Sequence, residues 1–260
     1  MTQQELERIA RTQSALDMGC EPSNFDRSEN VFVQSRPHPQ ARRYLKLPLF
    51  ADFCTYGGNV VASASGEGES VAREYLRRWP APCRAFETPQ LLWLSDQVRP
   101  LGYMPCFLAE YFQPRLDRLT ARACPYPLRV LEKDALVSLS RDVWRNALSD
   151  ERPQLDVLGV GAFDGDTLVG LAACSADCDA MWQIGVDVLP PYRRQGIASA
   201  VTSQLALEIL RRGKVPFYCS AWANLRSVKN ALTSGFVPAW CQMTVIPATV
   251  AEGFLHTHEE

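Results

Sequence analysis

The sequence predicts an α/β fold with mixed sheets, arranged as a smaller N-terminal α/β domain over residues 1–125 and a second domain over residues 126–260. Short segments rich in Val and aromatic residues alternate with segments whose apolar residues recur about every 3.6 positions, as in strands and helices. Hydrophobic residues make up 47% of the 260 residues, enough for one large core or two modest ones. The segment RACPYP at 122–127 has the proline content of a linker.

The N-terminal half mixes helix and strand signals. The polar start of the chain, MTQQELERIARTQ, is expected to form the first turns of an amphipathic helix, not a signal or transit peptide. A helix is predicted for GESVAREYLRRW, ended by Pro80, and another for TPQLLWLSDQVRPLGY, with Thr88 as N-cap and Pro89 in the first turn. Strands are predicted for the segments ENVFVQS, GGNVVASAS and MPCFLAEYFQP.

The pattern becomes more regular from Leu128 onward, with the predicted order β-α-β-β-β-α-β-α-β. An Asp-Gly turn at 164–166 between two apolar segments predicts a hairpin. The segment 133–150 is predicted as one helix, and a second helix from Gly196 has an apolar residue every fourth position and Gly213 as C-cap. The remaining predictions are strands at LRVLE, MWQIGVDVL, VPFYCSAWA and FVPAWCQMTVI, and a helix at NLRSVKNALTSG.

Charge and hydropathy argue against nucleic-acid and membrane partners. The net charge is -2 and the isoelectric point about 6.0, so no strong overall field attracts a polyanion or an anionic membrane. No apolar segment approaches the roughly 20 residues that span a bilayer. Any site for an anion must therefore be local.

Cysteine and histidine usage predicts a reducing, cytoplasmic location and no metal site. The nine cysteines are odd in number and scattered, which is typical of small buried apolar residues and not of a disulfide framework. Cys174 and Cys178 lack a second pair or a nearby histidine at zinc spacing. The histidines are His38, His256 and His258, and two of them lie in the tail, so a histidine-based catalytic triad is poorly supported.

The segment PPYRRQGIAS at 190–199 has the features of an anion-binding loop. It follows a predicted strand and leads into a predicted helix, whose N-terminus presents backbone N–H groups and a partial positive charge. Gly196 would permit close approach of an anion to the backbone, and Arg193 and Arg194 would add charged donors. The loop predicts a pyrophosphate site, with an ordinary strand-to-helix connection and a solvated arginine pair as the alternative.

The residues around this loop resemble the acyl-CoA signature of the GNAT (Gcn5-related N-acetyltransferase) superfamily. The signature V-x-V-x-P-x-Y-R-x-x-G-x-A falls on Val186, Val188, Pro190, Tyr192, Arg193, Gly196 and Ala198. The next helix and last strand of that superfamily are resembled by Asn224, Ser227 and the pair Gly235-Phe236. The resemblance covers about residues 128–246 and implies a GNAT acyl-CoA-binding fold. The segments RPLGYMPCFLA and LTSGFVPAWCQ are alike, so the N-terminal domain is either a degenerate GNAT copy or shares a common helix–Gly–strand junction.

The resemblance implies where acetyl-CoA, as co-substrate, would bind. Two adjacent strands, one ending at Val188 and one near Ser220, would splay apart, and the pantetheine arm would fill the gap like an added strand. The implied cofactor-binding residues are Val186, Val188, Arg193, Arg194, Gln195, Gly196, Ile197, Ala198, Ser199 and Asn224.

The activity that the resemblance implies is transfer of an acetyl group from acetyl-CoA to a primary amine by direct attack. The acceptor would be a small-molecule or peptide amine, and the alternative is a non-catalytic acyl-CoA-binding sensor or regulatory module. Many members carry a tyrosine that protonates the departing thiolate at the position of Ala231. No catalytic residue is assigned here. The candidates for the acid are Tyr218, Cys219, Ser220 or water, and the candidates for the base are Asp179, Gln183 and Asp187.

Overall fold

The structure, a computed structural model, describes residues 1–256, with side chains as far as Gly253, so His258 lies outside the described residues. The helices are α1 Gln3–Met18, α2 Gly68–Arg78, α3 Thr88–Val98, α4 Lys133–Val137, α5 Ile197–Arg211, α6 Leu225–Thr233 and α7 Ala248–His256. The strands are β1 Val31–Gln34, β2 Ala51–Thr55, β3 Val61–Ala64, β4 Tyr103–Pro114, β5 Leu128–Glu132, β6 Asp156–Asp164, β7 Thr167–Ser175, β8 Met181–Val188, β9 Val215–Ala221 and β10 Phe236–Pro247.

The chain forms two compact units, and each is made of two segments. The first unit contains residues 1–10 and 111–238, and the second contains residues 11–110 and the chain from 239 onward. Strands β4 and β10 each contribute residues to both units. The domain boundary predicted between residues 125 and 126 stays a prediction about which segment folds independently.

The first unit contains a mixed sheet in the order β9-β8-β7-β6-β5. Strands β8 and β9 are parallel and the other pairs are antiparallel, which confirms the predicted α/β class with a mixed sheet. The predicted hairpin joins β6 to β7 through Gly165, whose φ of 59° suits the glycine. Helix α5 packs on this sheet through the predicted buried residues Ile197, Val201, Leu205 and Ile209.

Two sequence predictions about helices are corrected, one in each unit. The helix predicted over 133–150 is only α4, Lys133–Val137, and turns follow it. In these turns the backbone N–H groups of Asn146 and Ala147 donate to the Asp187 carboxylate and not to carbonyls four residues earlier, as they would in a helix. Of the apolar residues that suggested the longer helix, Leu136 and Leu148 are buried, Leu139 is partly buried, and Val143 is exposed. Helix α3 begins at Thr88, so Glu87 occupies the N-cap position predicted for the threonine.

The second unit contains a mixed sheet in the order β1-β3-β2-β10. Strands β1 and β3 are parallel, and β2 is antiparallel to both of its neighbours. Every residue of β2 and β3 is buried, and α2 and α3 cover their apolar side chains. A relationship of this unit to a degenerate GNAT copy stays a prediction.

Strand β2 carries a buried carboxyl group, Asp52, with no exposed surface. It accepts hydrogen bonds from Gln242 Nε2 at 2.6 Å and Thr244 Oγ1 at 3.0 Å. Burial raises the pKa of Asp52 to about 7, from an ordinary value near 4. The fold therefore favours the protonated carboxyl, and stability falls as the pH rises from about 4 to about 7, because the unfolded chain gives up this proton first. Three pKa units correspond to about 4 kcal/mol.

We expect Asp52→Asn to increase stability at pH 8 by about 1–2 kcal/mol, because an amide carries no charge to desolvate. The gain in stability is smaller than the 4 kcal/mol above, because the new amide would have one acceptor oxygen for the two donors Gln242 and Thr244. The NH₂ group of the amide can donate to Gln242 Oε1, which is buried without a partner. Urea unfolding at pH 5 and pH 8 measures this. The gain should shrink at pH 5, and a variant less stable than the wild type at pH 8 would contradict the prediction.

Two further observations concern membrane-spanning helices and disulfide bonds. None of the helices within residues 1–256 is both long and apolar enough to cross a bilayer. None of the nine cysteines, all of which lie among the described residues, forms a disulfide.

Candidate acyl-CoA site

Strands β8 and β9 separate along their length. They pair in parallel only from Met181 opposite Val215 to Gln183 opposite Phe217. On its other side, β8 stays paired with β7 up to Val188. One edge of β8 from Ile184 onward therefore lacks a strand partner on the β9 side. This confirms the expectation of two splayed strands at these positions.

The main-chain groups of Val186 and Val188 face the gap between these strands. The N–H of Leu189 donates to Val169 O of β7 at 3.0 Å, so the main chain of Leu189 points toward β7. Successive residues of a strand alternate in the direction of their N–H and C=O groups. Val188 and Val186 therefore point to the opposite side, toward β9. Their side chains pack against the core under α5, as the alternation with Asp187 predicts.

The loop after β8 is held by contacts from outside itself. Tyr192 donates through its hydroxyl to Asp164 Oδ2 at 3.0 Å, at the β6–β7 hairpin. Tyr126 donates to Gln195 Oε1 at 3.3 Å and contacts the ring of Tyr192 edge-on. Tyr126 lies in the segment predicted as a linker, and nothing in its local sequence pattern indicates this contact. These bonds fix the loop before any ligand binds.

Two residues of the loop have positive φ, Arg194 at 65° and Gly196 at 81°. Positive φ is uncommon for a residue with a side chain and is concentrated at functional positions. A Cβ placed on Gly196 would meet no heavy atom of the described residues within 4 Å. The space beside the Gly196 backbone is therefore open to a ligand.

The first turn of α5 presents its backbone to this open space. Ile197 is buried and packs against Gly170 of β7, where a Cβ would come within 2.5 Å of Ile197 Cγ2. It anchors the helix with its side chain, so only its N–H can face a ligand. The intrahelical bonds begin with Ala200 N–H to Gly196 O, so the N–H groups of Ile197, Ala198 and Ser199 precede them.

Arg193 and Arg194 are both exposed. Arg193 Nε donates to Val188 O at 3.0 Å, which joins the loop to the edge of β8. A carbonyl oxygen has two lone pairs, so Val188 can still accept from a ligand. The guanidinium of Arg193 also retains donors that can reach a phosphate.

Helix α6 begins beside the open end of β9. Asn224 is its N-cap, and its side-chain oxygen accepts from Ser227 N–H at 3.2 Å. The Ser227 hydroxyl lies 2.7 Å from the hydroxyl of Tyr218, the first residue of β9 after the last pair with β8. Ala231, one turn further along α6, is fully buried. The contact of Asn224 with a pantetheine arm stays a prediction.

The carboxylate of Asp187, considered above as a base, is occupied by the backbone. It accepts from Asn146 N–H at 2.8 Å, Asn146 Nδ2 at 2.6 Å and Ala147 N–H at 2.9 Å. Gly185 allows this approach, since a Cβ there would lie 1.8 Å from Asn146 O. Asp187 therefore holds a turn in place, and both of its oxygens already accept hydrogen bonds from that turn.

Gln183 and Cys219 meet where β8 and β9 begin to separate. Gln183 Nε2 lies 3.1 Å from Cys219 Sγ, and an amide is neither an acid nor a base at neutral pH. Among the described residues, His, Cys, Asp and Glu side chains do not form a group of three or more that could hold a metal ion. The arrangement can bind an anion at the start of α5 and an extended polar chain along β8.

The comparisons with known proteins address this segment. Residues 129–239 match the model of the GNAT acetyltransferase family. The resemblance predicted for the C-terminal half is thereby confirmed. A search of the curated proteins found no match.

Several solved structures are similar to part of the chain. A candidate acetyltransferase of the GNAT family from Novosphingobium aromaticivorans is 18% identical, with 55% of this chain and 66% of that chain covered and a TM-score of 0.40. A GCN5-related N-acetyltransferase-like protein from Streptococcus suis is 22% identical over 60% of this chain and 69% of that one, with a TM-score of 0.43. Aminoglycoside N-acetyltransferase AAC(6')-Iy in complex with CoA is 19% identical over 46% of this chain and 93% of that one, with a TM-score of 0.35. The chain thus spans just under two thirds of the length of the first of these proteins.

Proposed function

We propose that the protein is an N-acetyltransferase that transfers the acetyl group of acetyl-CoA to a primary amine by direct attack. The acceptor would be a small-molecule or peptide amine. The observation that carries this proposal is the separation of β8 from β9 next to a glycine loop at a helix N-terminus. The family match over residues 129–239 supports the acetyl-transfer chemistry.

Acetyl-CoA would bind through its two polar parts. The pyrophosphate would lie at the first turn of α5 and accept from the backbone of Gly196, Ala198 and Ser199, with charge supplied by Arg193 and Arg194. The amides of the pantetheine arm would pair with the main chain of Val186 and Val188 as an added strand. Gln195 and Ile197 would contribute backbone groups, and Asn224 would contact the arm near its thiol end.

The reaction needs a neutral amine, a thioester carbonyl and a proton for the leaving sulfur. The amine nitrogen forms a bond to the carbonyl carbon, and collapse of the tetrahedral intermediate breaks the C–S bond. The edge of β8 would hold the arm so that the thioester lies where β8 and β9 converge. Positioning of this kind lowers the barrier by making attack effectively intramolecular. A cytoplasmic location, where acetyl-CoA and reduced thiols coexist, is part of the proposal.

We expect acetyl-CoA to raise the melting temperature. Binding to the folded state alone adds about 2.7 kcal/mol of stability at a ligand concentration of 100 Kd. Differential scanning fluorimetry with acetyl-CoA and CoA measures this, with adenosine as a control that lacks the pyrophosphate and arm. An unchanged melting temperature with both acetyl-CoA and CoA would contradict the cofactor assignment.

Thiol release from acetyl-CoA with a panel of amines then separates an enzyme from a non-catalytic acyl-CoA sensor. Turnover stimulated by at least one amine supports the transferase. A thermal shift without stimulated thiol release by any amine favours the sensor.

A further inference from the structure

The geometry points to Tyr218 as the residue that protonates the sulfur of CoA when the thioester breaks. This inference rests on the proposed function and identifies a catalytic group for it. Tyr218 lies on β9 directly after Phe217, the last residue paired with β8. It is therefore the first β9 residue beside the gap in which the pantetheine arm would lie.

The position of the thioester follows from the length of β8. From Val188 to Ile184 the strand rises by about 13 Å, at about 3.3 Å per residue. An arm that starts at the α5 loop and pairs with Val188 and Val186 has its end near Ile184. Parallel pairing places Ile184 next to the Phe217–Tyr218 step of β9, because Gln183 is opposite Phe217. The sulfur and Tyr218 thus come to the same end of the gap.

The hydroxyl of Tyr218 lies on the correct side of the sheet. Its side chain belongs to the core cluster that contains Ile184, Val186 and Val188, so it points to the face covered by α5 and α6. The oxygen lies 2.7 Å from Ser227 Oγ in the first turn of α6. Ser227 and Ala231 are four residues apart on one face of that helix. The Tyr218 hydroxyl therefore lies at the face of α6 that carries Ala231, whose methyl side chain cannot donate a proton.

The surroundings keep the hydroxyl protonated and ordered. Burial raises the pKa of Tyr218 above its ordinary value near 10, although the hydrogen bond from Ser227 opposes this. The rings of Phe112 and Phe236 lie 6.4 and 6.2 Å from the Tyr218 ring and fix its orientation. Either hydroxyl of the Tyr218–Ser227 pair can be the donor. When Ser227 donates, the tyrosine proton is available to another acceptor.

Proton transfer from Tyr218 accompanies cleavage of the C–S bond. The C–S bond breaks and its electron pair stays on sulfur, which takes the proton from the Tyr218 oxygen and leaves as a thiol. The phenolate then receives a proton from water through Ser227, whose residue is partly exposed. The amine releases one proton to water when it becomes an amide, so no net proton is gained or lost.

The first test is Tyr218→Phe, which keeps the ring and removes the hydroxyl. We expect kcat to fall about 100-fold, as for loss of a general acid, and KM for acetyl-CoA to change less than about threefold. Tyr75→Phe is the matched control, because it removes the hydroxyl of another buried tyrosine, one hydrogen-bonded to Ala85 O in the second unit. It should leave kcat unchanged.

A second pair of variants separates acid catalysis from packing. In the Tyr218→Ala variant, the added substitution Ala231→Tyr places a ring and a hydroxyl on α6 in place of those lost from β9. The substitution Ala231→Phe places only a ring there. We expect the tyrosine double variant to exceed the phenylalanine one in kcat by at least about 10-fold. Equal kcat in the two double variants, or a wild-type kcat in Tyr218→Phe, would overturn the assignment of Tyr218.

Acetyl-CoA binding by the wild-type protein distinguishes failure of the proposed function from failure of the Tyr218 assignment. A wild-type protein that does not bind acetyl-CoA in calorimetry would overturn the cofactor site and, with it, the acid. Wild-type binding and turnover together with full activity of Tyr218→Phe would overturn only the role of Tyr218. A 100-fold loss of kcat in Tyr218→Phe with retained acetyl-CoA affinity supports both.

Discussion

Gly196→Val is expected to weaken acetyl-CoA binding on the order of a thousandfold. The pyrophosphate would approach the backbone N–H groups at the start of α5, and a Cβ on Gly196 projects into the open space that the ligand would fill. Two lost hydrogen bonds to a charged group, each worth about 1.5–3 kcal/mol, correspond to this factor. Isothermal titration calorimetry beside a thermal melt measures affinity and folding together.

The matched control for Gly196→Val is Gly213→Val, after the C-terminal end of the same helix. Gly213 has a φ of 73° against 81° for Gly196, and a Cβ would meet no described heavy atom within 4 Å at either position. Both variants therefore incur the cost of a β-branched residue in the left-handed region, about 1–2 kcal/mol of stability. Only Gly196→Val should lose acetyl-CoA affinity. Equal affinities in the two folded variants would leave the loop as a plain strand-to-helix connection.

Arg193→Ala and Arg194→Ala should have smaller effects, about 10- to 100-fold each, because each removes one charge-assisted donor and leaves the backbone site intact. Both side chains are exposed, so these losses should decrease as the salt concentration rises. The loss from Gly196→Val should persist at high salt, since its cause is steric.

The loop after β8 could be predicted as a candidate anion site because the features that suggest such a site are local in the sequence. A strand end, two arginines, a glycine and a helix start lie within a few residues, and each has a direct physical meaning. The gap between β8 and β9 came from the family resemblance and is confirmed by the short register that ends at Gln183. The partner of Asp187 could not be predicted, because it depends on Asn146, 41 residues away. The same applies to the contact of Tyr126 with Gln195.

The secondary-structure predictions were incomplete or wrong at β2 and in the segment after α4, where the buried residues do not follow the period of a regular strand or helix. No strand was predicted at β2, whose five residues are all buried, the polar Asp52 and Thr55 included, so polarity along this segment does not report burial. The segment after α4 has apolar residues near a helical period, but it forms turns that bury Trp144 and Leu148 against Leu171 and Ala173. In α5 the apolar residues recur every fourth position, and this pattern was sufficient to predict the helix.

The second unit depends on a buried ion pair, and Arg42→Met is expected to destabilise the fold by about 3–5 kcal/mol. Arg42 Nη1 lies 2.5 Å from Asp17 Oδ2, and the two side chains are 0% and 1% exposed. The backbone N–H of Arg42 also donates to Asp17 Oδ1 at 2.8 Å, and Gln13 Nε2 donates to it at 3.0 Å. Methionine keeps much of the volume but leaves the carboxylate without a counter-charge, which is costly in a dry site. Urea unfolding at pH 7 measures the loss.

Two further variants show whether the loss comes from the buried charge. Arg77→Met removes a partner of Glu74 on α2, where the arginine side chain is 71% exposed, and should cost less than about 1 kcal/mol. In the double variant Asp17→Asn/Arg42→Met both charges are absent, so no uncompensated ion remains in the core. Its stability should therefore be higher than that of Arg42→Met alone by about 1–3 kcal/mol. If the double variant is instead less stable by the sum of both single losses, the pair acts through separate contacts and not through its charge balance.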